Sequence, residues 1–346
     1  MALRYEARIS DGSGLLGVLD PCLRGASQLD SRVVRVLFFG ALVALVLGAT
    51  SIACGGAAPA PASPAIAAPP PKPRNAPEIA RAVANGGGVE ALLHADRVRG
   101  HPLSARVSSL KDLRAIFEGT GVDPARDIER AFVVAPTATS EEQSVVVAEH
   151  TVEPARLHAA LEVVRARSEP PGVWRTDLGV PATTLTVRGR KRVAAMVEPN
   201  VLVLLPEGRA SQAARFVGTA GCPLPTGAEA MSASAVEPAR TLRGTLPVRI
   251  PESLRRAQAK VTPTADGGAD LRIDAESSSP AQASADAASL TRELARATSV
   301  DLGLVRLRVI EPIEFRAEGD RVLGDRHLSA AELDRIFSLV EALMPP

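Results

Sequence analysis

The 346 residues hold 40 lysines and arginines against 39 aspartates and glutamates, with 28 prolines, three cysteines and only 3% aromatic residues. Taking away the five arginines and four acids that precede Cys54 leaves 35 of each sign, which excludes the basic excess with which nucleic-acid-binding chains neutralise phosphates. Lys72, Lys111, Lys191 and Lys260 are the only lysines. Arginine rises together with alanine, glycine and proline, whose codons are GC-rich, so its abundance is compositional and does not by itself signal a function.

In chain order, residues 1–32 contain a lone Cys22 and no sustained apolar period, which gives no reason to expect a folded unit. They read as an N-terminal extension placed upstream of the true start, with Val33 or Val34 as initiator because GTG encodes both valine and a start. From Val33 to Ala53 the chain is apolar, with Arg32 and Arg35 at its N-terminal side and no charge from Val36 to Pro71. A basic start, an apolar middle and small residues before a cleavage point make residues 33–53 a secretory signal.

The last residues of that run, Ser51-Ile52-Ala53-Cys54, resemble the lipobox of bacterial lipoproteins, with Ser51 where the motif usually carries Leu or another aliphatic residue. The resemblance implies lipidation at Cys54, whose sulfur would carry fatty acyl chains such as palmitate and whose amine would become the new N-terminus. Two alternatives stay open: release by ordinary signal peptidase, and an uncleaved anchor helix, since about 20 apolar residues span a bilayer. All three carry the body across the inner membrane. Gly55 in place of Asp favours the outer membrane, facing the periplasm, by analogy with the enterobacterial sorting rule. The membrane is then a partner through the N-terminal lipid, and another envelope protein is a candidate partner.

Residues 54–86 read as the lipidated cysteine followed by a Pro/Ala-rich tether, with eight prolines between Gly55 and Pro77. Such a segment leans to polyproline II at about 3.1 Å per residue and reaches about 70 Å. Because Cys22 precedes the signal and Cys54 is committed to lipid, Cys222 stands alone in the mature chain. The body must therefore hold by packing, without disulfides.

The body is expected to divide into two α+β halves, 87–220 and 221–346, with antiparallel sheets, helices packed on one face, and the halves related to each other. Helices are predicted at Ser109–Glu118, capped by Ser109, and at Pro154–Arg167, opened by Pro154. Short strands are predicted at Ala131–Ala135 and Val145–Ala148. Alternation and turns from Ala182 to Leu205 predict a three-stranded meander, followed by a helix from Ala210 to Val217. In the second half, Asp266-Gly267-Gly268 predicts a hairpin turn, Ala281–Thr298 a helix, Val305, Leu307 and Val309 a strand, and Glu318-Gly319-Asp320 another hairpin. The final helix carries a capping box, Ser329 with Glu332, and a stripe of Leu333, Ile336, Phe337, Val340 and Leu343. Val152-Glu153-Pro154-Ala155-Arg156 recurs as Val236-Glu237-Pro238-Ala239-Arg240, which motivates a duplication in which residues 90–218 superpose on 229–344. In this layout the body resembles uncharacterised bacterial envelope lipoproteins with duplicated helix-and-hairpin halves, a resemblance that carries over no functional residue.

Chemistry is sparse. His94, His101, His150, His158 and His327 never fall at the i, i+4 spacing of a helical metal site, and no Cys pair accompanies them, so neither metal nor cofactor is expected. The glycines at 86–88 and at 119 and 121 lack the strand-to-helix frame of a phosphate loop. Ser108-Ser109-Leu110-Lys111 matches the SxxK of serine β-lactamases and penicillin-binding proteins, but the S-x-N and K-T-G partners of that motif are missing. Cys222 reads as a small buried hydrophobe, and Trp174 as a loop plug against the sheet. No catalytic residue is assigned. The expected function is a lipid-anchored cell-envelope protein with a non-catalytic binding or scaffolding role, the alternative being an envelope enzyme of acyl transfer or hydrolysis with a dispersed site.

Overall fold

The computed structural model describes residues 75–343, apart from 110–115, 188, 225–226, 247, 302–305 and 309–310. The signal run, Cys54, Lys111 and residues 55–74 of the expected tether lie outside the described residues, as do Leu110 and Leu113 of the first expected helix, the strand positions Val305 and Val309, and the side chain of Val340. Among the described residues no helix is long and apolar enough to cross a membrane.

The first segment runs α1 (Ala76–Val83), β1 (Val89–His94), the short helices α2 (Ala95–Val98), α3 (Pro102–Ser109) and α4 (Pro124–Asp127), β2 (Ile128–Ala135), β3 (Val145–His150), α5 (Pro154–Arg167), β4 (Trp174–Arg175), β5 (Ala182–Val187), β6 (Arg190–Val197), β7 (Val201–Pro206) and a 3-10 run, Glu207–Phe216. The second runs β8 (Met231–Val236), α6 (Pro238–Thr241), β9 (Leu254–Pro263), β10 (Ala269–Ser277), α7 (Pro280–Ala297), β11 (Ser299–Asp301), β12 (Arg306–Arg308), β13 (Phe315–Glu318), β14 (Arg321–Leu328) and α8 (Ala330–Leu343). Twelve of these strands form one sheet in the order β13-β14-β10-β9-β8-β1-β2-β3-β7-β6-β5-β4. Its neighbours pair antiparallel throughout, from β13–β14 at one edge to β4–β5 at the other, which makes the chain α+β.

The local reasons are those of the sequence. Gly267 takes φ 84, the left-handed region that an L side chain avoids, while Asp266 Oδ1 accepts the Gly268 N–H at 3.1 Å and closes the β9–β10 turn. Pro154 occupies the first turn of α5. Ser329 and Glu332 form the expected capping box before α8: the Ser329 N–H donates to Glu332 Oε2 at 3.0 Å and the Glu332 N–H to Ser329 Oγ at 3.3 Å. Leu333 and Phe337 are buried and Ile336 packs against them.

Burial differs between the two segments, and it corrects the expectation of helices on one face. Along β6, Val193, Ala195 and Val197 pack beneath α1 and the 3-10 run, whereas Ala194 and Met196 pack on the opposite side under Leu157 and Leu161 of α5. Successive strand residues point to opposite faces, so β5, β6 and β7 are sandwiched, and in β6 and β7 the apolar residues run on without the alternation of a half-exposed strand. Across β9, β10 and β14 only one face is covered: Val261, Ala269 and Leu328 lie under α3 and α8, and Ala275 and Val322 under α7. The other face is open and crossed by charges, including Asp274 with Arg321, Arg316 with Asp325 at 2.7 Å and His327 Nδ1 with Asp270 at 2.8 Å.

Two boundaries also move. The helix α1 lies inside the stretch 54–86 that reads as tether, with Ala76, Ile79, Ala80 and Val83 buried. Its N-terminus is built by Asn75, whose side chain accepts the Glu78 N–H at 2.9 Å, and Arg81 ties it to the sheet through Glu90 at 2.7 Å and over the Phe132 ring at 5.2 Å. Eight prolines obscured an amphipathic octapeptide at the tether's end. At the other boundary β8 pairs with β1, Val89 opposite Ala235 and Ala91 opposite Ala233, so the division at 220/221 runs through one continuous sheet.

Strand order recurs along the chain. Three strands paired in succession are followed by a helix and then by an antiparallel unit, β4 to β7 in the first segment and β13–β14 in the second, whose last strand returns to the third: β7 pairs with β3, and β14 with β10. The pentapeptide pair does not mark this recurrence. Its first copy follows the third strand and opens the long α5, whereas its second follows the first strand of the second segment and opens the four-residue α6. The counterpart of α5 in the order of elements is α7. The segments also end differently, the 3-10 run on one face of the sheet and α8 on the other.

Candidate functional site

A groove of about 600 Å³ lies on the covered face of the sheet, between the chain from α6 to β9 and the first turns of α7. Its base follows from residue sizes. Ala283 and Ala287 let α7 sit close to the sheet, and Leu254 with the partly buried Ile250 packs against them, so the incoming chain is held beside the helix. Gly244, at φ 76, turns that chain after α6, a conformation that favours glycine.

Between the two alanines sits Asp286, 1% exposed. The Ser277 hydroxyl donates to its Oδ2 at 2.6 Å, and Ser253 Oγ and Gln282 Nε2 donate to its Oδ1 at 2.7 and 2.9 Å. A buried carboxylate is tolerated only where hydrogen bonds replace its water, and here the three donors are all neutral and come from three elements. Asp286 thereby fastens the start of β9 and the end of β10 to α7. Open to the groove are Arg243, Arg249 and Glu252, all exposed, and Ser289. A second concavity of about 830 Å³ adjoins the first, shares Arg243 and Glu252 with it, and adds Arg256. The sequence contained this signal only as scattered arginines in a loop, and composition had already explained those.

A second polar cluster is closed. His94 at the end of β1 is 1% exposed with Nδ1 unpartnered, and burial is the main cause that lowers its pKa. Beside it Arg130 pairs with Glu149 at 2.7 Å, and Glu149 Oε2 accepts the Cys222 N–H at 3.1 Å. The approach is so close at Gly221 that a Cβ there would stand 2.6 Å from Glu149 Oε2. This cluster ties the 221–230 connection to β2 and β3. Burial pushes the Cys222 thiol up to about 12, which keeps it protonated and unreactive.

No family model matches this chain. No curated protein matches it either. A solved structure, crystal form I of TP0453, is similar at 12% identity and a TM-score of 0.46, over 77% of this chain and 97% of that one.

The remaining residues singled out in the sequence are dispersed. Ser108 lies in the last turn of α3. The expected helix start after Ser109 falls on residues 110–115, outside the described residues. His150 is buried on the α5 side of β3 with Nδ1 unpartnered, His101 Nε2 meets the Thr264 carbonyl at 3.1 Å, and His327 lies on the open face. His158 stacks on Trp174 with centroids 4.2 Å apart. The Trp174 indole N–H donates to Glu162 Oε1 at 2.5 Å, and the ring packs in the cluster formed by Leu185 and Ala194 of the sheet with Leu157 and Leu161 of α5. Among the described residues no group of three His, Cys, Asp or Glu side chains could hold a metal ion.

Proposed function

We propose that this chain is a lipid-anchored cell-envelope protein whose body has a non-catalytic binding role, exercised through the groove between the α6–β9 connection and α7. The observation that carries the binding role is that groove, framed by a buried carboxylate that three neutral donors already engage and flanked by guanidiniums. A donor-lined concavity of this kind is suited to holding a ligand. The address is supported by the apolar run from Val33 to Ala53 and the Ser51-Ile52-Ala53-Cys54 exit, with Gly55 favouring the outer membrane and the body facing the periplasm.

Metabolic labelling with a fatty acid tests the anchor: label is expected on the wild type and lost in Cys54→Ala, and equal labelling of the two sinks it. The same preparations exposed to a fluorophosphonate probe are expected to stay unlabelled. Covalent labelling that disappears in Ser108→Ala would overturn the binding role in favour of an acyl-transfer enzyme.

A further inference from the structure

We propose that the groove binds an organic phosphoester, held by Arg243 and Arg249 over an apolar floor of Leu242 and Ile250. The proposal rests on the binding role argued above and names the chemistry of its ligand. What distinguishes these arginines is that they lack a carboxylate partner and are gathered at one groove, since arginine is common throughout the chain. Arg81, Arg130, Arg156, Arg165, Arg175, Arg240, Arg316, Arg321 and Arg326 each meet a carboxylate. Arg243, Arg249 and Arg256 have no carboxylate in ion-pair range among the described residues, and all three line the two joined concavities.

Guanidinium forks left open beside a groove match the planar, bidentate recognition of oxyanions. A carboxylate is satisfied by a single fork, whereas the non-bridging oxygens of a phosphoester can be shared by more than one, which fits two arginines in one groove and a third in the adjoining one. The Ser289 hydroxyl adds a neutral donor on the α7 side. Asp286 does not compete for these cations, because its oxygens are taken by Ser253, Ser277 and Gln282. Glu252 is exposed, lies in both concavities and has no cation in range. Its charge opposes a second negative group, so a singly esterified small molecule or a phosphodiester headgroup fits better than a polyphosphate. Leu242 and Ile250, both packed into the body beneath the groove, offer apolar contact to the organic part.

The test is a calorimetric titration of the full-length protein in neutral detergent with phenyl phosphate, alongside flotation of the Cys54→Ala protein with phosphatidylglycerol or phosphatidylcholine vesicles. Saturable binding is expected that weakens at least tenfold in Arg243→Gln/Arg249→Gln and tightens severalfold in Glu252→Gln, with unfolding midpoints unchanged. Binding to phenyl phosphate supports a free small molecule. Arginine-dependent flotation with phosphatidylglycerol alone assigns the same chemistry to a lipid headgroup. The proposal is overturned if neither probe binds, or if binding is indifferent to both arginines. Failure of the Cys54 test would remove the anchor and leave this result standing, whereas saturable binding of another ligand class would overturn the phosphoester and leave the binding role.

Discussion

His94 and His150 occupy buried positions on opposite faces of the central strands, and each leaves Nδ1 without a partner. Burial is the leading cause that lowers both pKa values; at His94 Asp96 and Glu229 pull upward and Arg97 and Arg130 downward, and at His150 a hydrogen bond to the Val152 backbone, Glu149 and Asp127 pull upward. The native state therefore holds these rings neutral at a pH where the unfolded chain, with its ordinary value near 6.5, already binds protons. Stability then rises with pH through the window between the lowered values and about 6.5, and is lost as pH falls through it. His327 acts in the opposite sense: the hydrogen bond to Asp270, then Asp266, raises its pKa, so its contribution is present below about 6.5 and fades as pH climbs through the raised value. It is exposed and screened, and the buried pair should dominate. The urea midpoint is expected to drop between about pH 7.5 and 5.5, and to drop less in His94→Gln. A flat profile, or an equal slope in the variant, would show that these rings are not held neutral.

At the level of elements, α1 and α8 make a matched pair, each closing one face of the sheet from one end of the described chain. Ile79, 5% exposed, packs from α1 over the same cluster as Phe132, Val134 and Val147, and Phe337, 7% exposed, packs from α8 against Leu103, Val261 and Leu328. Truncating either side chain leaves a cavity in a close-packed core. Ile79→Ala should cost roughly 2–5 kcal/mol and Phe337→Ala roughly 3–5 kcal/mol in denaturant unfolding. An Ile79→Ala cost within about 0.5 kcal/mol, the range of a surface substitution, would return residues 76–83 to the tether. The α8 stripe and its capping box were legible because the helix is polar on one side and has its own start signal. The octapeptide of α1 was not, since two turns next to a proline-rich run are too short to establish a period.

For the whole molecule, the antiparallel pairing of β8 with β1 decides how the two segments behave. Both strands are interior, with β2 on one side and β9 on the other, so separating the segments would expose two unpaired strand edges, which carry unsatisfied backbone groups. Scanning calorimetry is expected to give one transition for the body, and two resolved transitions would mean that the segments unfold independently. The strands of the meander from Ala182 to Leu205, the hairpin turn at Asp266-Gly267-Gly268 and the helices expected at Pro154–Arg167 and Ala281–Thr298 were determined by sequence alone, because turn chemistry, caps and side-chain period act within a few residues. Tertiary structure decided what those rules cannot reach. It set which face each helix covers, since the run Val193 to Val197 is apolar on both sides and gives no direction. It showed that Val152–Arg156 and Val236–Arg240 stand at different steps of the strand order, since a five-residue likeness carries no topology. It also joined Arg243 and Arg249 from a loop with Asp286 and Ser289 from a helix into one groove, because their proximity arises only when Leu254 and Ile250 pack against Ala283 and Ala287.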